Sequence, residues 1–250
     1  MSKPDSADGS RNTRSVERAL DLLDLVARSA DGTTLSSAAR DAELATSTAA
    51  RLLQSLAATD FVTRDEHGRY RAGPRLYQIG ALAVGNLAIY SLSERHLRGL
   101  AEATGETAYV GLPVEGASKC LYLRQVESPH AIRHAHWAGL VIETPGTAIG
   151  AALHDQVGPG GFVLSRATRI EPDAAAAAAP VRDTSGSVIA ALSIIGPSFR
   201  LPDEELERIG AIVAQSAADL SEELGYVEDA SAPTDHTHPI WTVAGAATRR

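Results

Sequence analysis

The side chains best suited to chemistry in this sequence are hydroxyls and guanidiniums gathered in its first third. Thr46, Ser47 and Thr48 open the run TSTAARLLQSLAA, and Arg51 follows Ser47 by one helical turn. Small hydroxyl residues at the entering end of a helix can bond base edges in the major groove, and a guanidinium one turn later reaches guanine or phosphate. Arg64, Arg69 and Arg71 follow in a second cluster, placed for phosphate contacts, and Arg11 and Arg14 precede the first helical pattern. This is the chemistry of reading duplex DNA. The same residue types also suit plain helix capping and a solvated basic face. No nucleophile elbow, phosphate-binding loop or dinucleotide fingerprint occurs, and nothing points to catalysis or to a cofactor.

The elements around these residues follow from periodicity. The first residues are rich in Ser, Asp and Gly and read as a disordered arm over 1–12, and Arg11 and Arg14, before the first helical pattern, could also touch the duplex. Ser15 then suits an N-cap, followed by Val16, Ala19, Leu20, Leu23 and Val26 at helical spacing up to Asp31-Gly32. A short helix near Ser36 to Asp41 and a third from Thr46, with Ala49, Leu52, Leu53 and Leu56 inward, are joined by a tight connection. Two extended pieces, FVTRD and RYRAG, flank the turn Glu66-His67-Gly68. Three helices and a hairpin make a winged helix-turn-helix over 13–73. An apolar helix over 74–90 is too hydrophobic for a solvated linker and must pack on another surface.

From Thr107 the period shortens to strands, at TAYVGLP, KCLYLRQV and AIRHAHWA. The turn Pro145-Gly146 enters a helix, and AAAAAAPVRD and SVIAALSIIGP read as buried strands around Asp183–Gly186. A last helix runs from Pro202 to about Leu224, and 228–250 reads as a flexible tail. The second domain is thus 91–227. His134 and His136 would share one face of a strand, with His130 nearby, but no fourth ligand accompanies them, so no metal site is expected. Cys120 reads as a buried small residue, although Lys119 beside it would lower its pKa.

Composition agrees. The chain has 250 residues, 44% of them hydrophobic and 22% charged, enough for two small packed domains and too apolar for disorder. A single cysteine excludes an internal disulfide and fits a reducing, cytoplasmic setting, and neither a signal peptide nor a bilayer-spanning run is expected. The net charge is −8, yet residues 1–75 carry 11 basic against 11 acidic side chains, so the acidic excess lies elsewhere. DNA binding then depends on how the basic groups are distributed.

The motifs RSVERALDLLDLVA, LATSTAARLLQSLAATDFVTRDEHGRYRAGPRL, ETPGTAIGAAL, APVRDTSGSVIAALSIIGP and LPDEELERIGAIV together resemble the IclR family of bacterial transcriptional regulators, over residues 13 to 225. The resemblance implies an α+β chain: a winged helix-turn-helix, a linker helix that helps pair two copies, and a GAF-like effector-binding domain with an antiparallel sheet. It implies homodimers or tetramers on palindromic double-stranded operators, and a small organic, carboxylate-bearing effector that modulates binding. It also places the effector pocket at Gly146, Thr147 and Ala148, with Arg166, Glu171, Ala176 and Ser193 on the facing wall. Free backbone N–H groups at the start of that helix would attract a carboxylate. Thr46 and Ala50 stand where the family often has Lys and His, which moves DNA contacts toward Arg51 and the wing. Ala176 replaces a pocket Cys, Arg166 a pocket Asp and Ile195 a pocket Ser. The stretch 155–170 is short for the helices the family carries there. Two other readings stay open: a DNA-binding dimer with a degenerate pocket, and a ligand-binding or catalytic protein whose winged helix contacts only protein.

Overall fold

The computed structural model describes residues 6–134, 136–166, 170 and 172–227, with side chains from residue 13 onward. The sequence-predicted tail and Glu171 lie outside the described residues. The chain divides into two compact units, Met1–Asn86 and Leu87–Arg250.

The first unit holds α1 (Ser6–Arg28), α2 (Leu35–Asp41), α3 (Thr46–Ala58), β1 (Val62–Arg64), β2 (Tyr70–Ala72) and α4 (Pro74–Gly85). Leu22 and Val26 of α1, Ala38 and Ala39 of α2, Ala49 and Leu53 of α3, and Val62 and Tyr70 of the hairpin form one core. Thr34 caps α2 by accepting the Ser37 N–H at 3.2 Å. The connection to α3 turns at Glu43, which takes a positive φ of 53°. The wing pairs Val62 with Ala72 and Arg64 with Tyr70, and a bridge from Thr33 to Tyr70 ties it to the helices.

Three expectations for this unit need correction. The arm does not hold over its described residues, 6–12, nor does the Ser15 cap: α1 already runs from Ser6, because a helix nucleated by a packed stripe extends cheaply toward its N-terminus. The stripe itself is Ala19, Leu22, Leu23 and Val26, whereas Val16 and Leu20 are 59% and 58% exposed. The helix over 74–90 is broken at Asn86: Gly85 and Asn86 are poor helix-interior residues, and Ala88 already belongs to the next helix. None of α4 is buried; Tyr77, Ile79 and Leu82 are exposed.

The second unit holds α5 (Ala88–Thr104), β3 (Thr107–Val114), β4 (Lys119–Val126), β5 (Val141–Glu143), α6 (Ala148–Leu153), β6 (Val163–Arg166), β7 (Ala174–Arg182), β8 (Val188–Pro197), a 3₁₀ turn Ser198–Arg200 and α7 (Asp203–Glu223). Its six-stranded sheet is antiparallel throughout, in the order β5-β4-β3-β8-β7-β6. Leu97 and Leu100 of α5 and Ile209, Val213 and Leu220 of α7 cover one face, over Ala108, Val110, Ala175, Ala177 and Leu192. Ile149 and Ala152 of α6 cover the other, beside Tyr109, Tyr122, Ala178 and Ile195. The alanine run of β7 thus serves both faces, since strand side chains alternate. No helix separates α6 from β6, so the shortened stretch becomes turns and an edge strand. The predicted strand over 131–138 is not formed by the described residues of that stretch. Its described residues form a loop, leaving β5 to pair with β4 instead. Among the described residues no single helix is long and apolar enough to cross a membrane.

Candidate functional site

α3 starts without a side-chain cap: its N-cap is Ala45. Thr46, Ser47 and Arg51 are exposed and Thr48 is half-exposed. Among the described residues, none of these four side chains bonds within the chain, so the capping reading of the hydroxyls does not apply. Ala49, Leu52 and Leu53 on the opposite face anchor the helix in the core, which fixes the polar edge outward. The result is a helix end with uncommitted N–H groups, three hydroxyls and a guanidinium, a set that can bond phosphates and base edges.

The wing arginines are placed differently. Arg69 Nη1 donates to Gly32 O at 3.2 Å and Arg71 Nη1 to Ala30 O at 3.1 Å, which brace the hairpin against the α1–α2 connection. Arg71 also pairs with Asp65 at 3.1 Å, and Arg64 Nε donates to Gly68 O at 3.2 Å. Asp65 organises the turn by accepting the Arg69 and His67 N–H groups, and these bonds with Arg71 hold its carboxyl below the usual range. All three arginines stay exposed, so each can still face a phosphate while serving the wing. Arg14 lies exposed on α1 rather than in an arm, and the Arg11 side chain lies outside the described residues.

In the second unit, a cleft lies between α6 and the sheet. It is lined by Tyr122, Trp137, Ile142, Thr147, Ala148, Ile149, Ser165, Ile170, Ala174, Ala176, Ser193 and Ile195. It has about 400 Å³ of empty space, its open mouth included. Gly146 takes φ +77° in the turn ahead of α6. Gly150 must be glycine, because a Cβ there would sit 2.3 Å from Thr144 O. The loop after β4 folds over the cleft through packed rings. Tyr122 and Trp137 lie 5.4 Å apart between centroids, His134 and Trp137 4.5 Å, and the buried Tyr109 hydroxyl and His134 Nδ1 are 2.6 Å apart.

Of the pocket residues expected from the sequence, Thr147, Ala148, Ala176 and Ser193 line the cleft. Gly146 does not; it sits exposed in the turn. Arg166 does not either. It pairs in register with Ala175 on the α7 side of the sheet, bonding Leu201 O and, at 2.8 Å, Asp203. Strand alternation gives the cleft Ser165 instead. The free helix start expected to hold a carboxylate is also largely engaged. The Thr147 hydroxyl donates to Thr144 O at 2.7 Å and accepts the Gly150 N–H at 3.1 Å, and the Ala148 N–H donates to Ser165 Oγ at 3.3 Å. Ser193 is the contrast: it is 1% exposed and its hydroxyl has no hydrogen-bond partner. Sequence reasoning missed Tyr122, Trp137 and Ser165; the period-two pairs Cys120/Tyr122 and Ala174/Ala176 were the available signal.

The weaker signals also resolve. His134 is buried against Tyr109 and Trp137, while His136 is exposed beside Gln125 and Glu127, so the two share no strand face. Burial pushes the Cys120 thiol up to about 12, overriding Lys119, whose ammonium pairs with Glu115 at 3.0 Å.

Two family models match the chain: the IclR helix-turn-helix domain over residues 15–66, and the bacterial transcriptional regulator IclR C-terminal domain over residues 168–222. The chain is 28% identical to the HTH-type transcriptional regulator BhcR of Paracoccus denitrificans, over 86% of this chain and 88% of that protein. It is 26% identical to the HTH-type transcriptional repressor AllR of Escherichia coli strain K12, over 86% and 92%. In fold it is similar to the crystal structure of the Thermotoga maritima IclR, with a TM-score of 0.68 at 20% identity, covering 86% of this chain and 100% of that one. These families and relatives are transcriptional regulators, not enzymes.

Proposed function

We propose, from the premise that this chain belongs to the IclR family of bacterial transcriptional regulators, that it is a repressor whose grip on a palindromic operator responds to a small organic effector. The carrying observation for operator reading is the uncapped start of α3, where Thr46, Ser47, Thr48 and Arg51 have no other bonds to make. Two such helices must meet two half-sites, so the protein acts as a homodimer or a dimer of dimers. The exposed apolar residues Tyr77, Ile79 and Leu82 of α4 supply the face for pairing. An effector in the second-unit cleft would shift the population between pairings with different half-site spacing. The site of action is the cytoplasm, where the operator is.

The test is footprinting on the DNA upstream of the protein's own gene, with random duplex as competitor. A protected, roughly palindromic site is expected. Arg51→Ala should lose about 1–3 kcal/mol of discrimination between operator and random duplex. Unchanged operator preference in that variant would remove Arg51 from base reading. A second reading, a ligand-independent DNA-binding dimer, is favoured by the start of α6, where the Thr147 hydroxyl and the Ala148 and Gly150 N–H groups already bond within the chain. It predicts that no effector candidate shifts the melting temperature.

A further inference from the structure

The cleft restricts the chemistry of its occupant, given the reading of it as an effector site. Among the described residues, its lining holds no Asp, Glu, Lys, Arg or His. Isoleucines at 142, 149, 170 and 195, alanines at 148, 174 and 176, and the rings of Tyr122 and Trp137 supply nearly all of its surface. A carboxylate brought here would meet no counter-charge among the described residues of the lining, and leaving water without one is strongly unfavourable. Arg166, a cation expected there from the sequence, lies on the other face of the sheet and is paired with Asp203. The Thr147 and Ser165 hydroxyls are already bonded to the chain around the start of α6.

Among the described lining residues, one fully buried side-chain polar atom has no partner. The Ser193 hydroxyl borders the cleft, is inaccessible to water and has no partner. A buried hydroxyl without a partner is costly, and a native chain that keeps one leaves a place for a group not yet bound. Its neighbours in register, Tyr109 on β3 and Ala178 on β7, are buried on the same face, so the position is fixed by the sheet and not by a mobile loop.

We propose that the cleft takes a small, uncharged, mostly apolar molecule whose single hydrogen-bonding group meets the Ser193 hydroxyl. The cleft's empty space, about 400 Å³ with its open mouth, is of the size of a small organic molecule. The apolar body then lies in the open mouth between Trp137, Tyr122 and Ile170.

The experiment titrates the full-length protein at pH 7.5 with phenol, cyclohexanol and butan-1-ol, each against its carboxylate counterpart: benzoate, cyclohexanecarboxylate and butanoate. The readouts are melting temperature and tryptophan fluorescence, with Trp241→Phe leaving Trp137 as the reporter. At least one alcohol is expected to bind saturably, at concentrations where its carboxylate counterpart does not. Ser193→Ala should weaken that alcohol about three- to tenfold, the value of one hydrogen bond. Ala176→Ile, which fills the cleft with a residue that suits a strand, should abolish binding. Carboxylates binding as tightly as alcohols would overturn the ligand class while leaving the effector reading standing. An unchanged alcohol affinity in Ser193→Ala would overturn the role of that hydroxyl. No saturable response from either set, in protein that still protects its operator, would overturn both the ligand class and the effector reading. An alcohol that saturates without altering operator affinity would uphold the class and overturn the effector reading alone.

Discussion

His96 is the residue whose surroundings give the clearest pH dependence. It lies on α5 with Nδ1 3.2 Å from Ser216 Oγ and Nε2 3.4 Å from Glu223, with Arg95 and Asp219 also near. Burial, then the Arg95 charge, lowers its pKa from 6.5, against a weaker opposing effect of Asp219. The unfolded chain therefore binds a proton that the folded chain resists. Stability from this residue is present above about pH 6.5 and is lost as pH falls toward the folded value. Denaturant melts between pH 7.5 and 5 should show a shallower acid-side loss in His96→Asn than in the parent. Equal slopes would show that other groups set the acid limit. The same accounting of partners separates the Arg51 side chain, which has no bond among the described residues, from those of Arg69 and Arg71, which do. Residue type alone treats these arginines as equals; only their neighbours distinguish them.

At the scale of elements, the wing is where one side chain does two jobs. Arg71 joins β2 to Asp65 and to Ala30 O, so Arg71→Ala removes a brace as well as a charge. The pair is exposed, so the stability loss should stay below about 1 kcal/mol. If Arg71 also meets a phosphate, the salt dependence of DNA binding should fall by about one in slope. A lowered melting temperature with an unchanged slope would make it a brace only. Element boundaries were legible in the sequence where punctuation is strong. α3 begins at Thr46 as its pattern predicts, and Gly105 ends α5 with φ +73°. They were not legible where two patterns compete. Val16 and Leu20 continue the helical spacing of α1 but fall on its open flank, because α3 packs on Leu22 and Val26. Likewise AIRHAHWA alternates as a strand would, yet the packing of His134 and Trp137 on Tyr109 and Tyr122 holds its described residues as a loop.

At the scale of the molecule, the prediction concerns pairing. α4 is apolar and none of its residues is buried, with Tyr77 67% and Leu82 63% exposed. A face of this kind on a DNA-reading unit should be covered in the functional assembly. Leu82→Asp should convert the protein to smaller species in light scattering after size-exclusion chromatography. It should also lower operator affinity by about 10² or more, since the second half-site is no longer bound in the same event. An unchanged mass would place the subunit contact elsewhere.

The sequence by itself determined the presence of a winged helix-turn-helix and most of the elements around it, because hydrophobic period, Gly and Pro punctuation and short turns are local properties. It also placed Arg51 on the same exposed side as Ser47, since helical spacing fixes which residues share a face. The tertiary structure alone decided the character of the cleft. Whether Arg166 or Ser165 faces it depends on the register of β6 against β7, and a shift of one residue would exchange them. Whether the start of α6 is free depends on Thr147 and Ser165 finding its N–H groups. Register and hydrogen-bond pairing are contacts between segments far apart in the chain, and no local pattern records them.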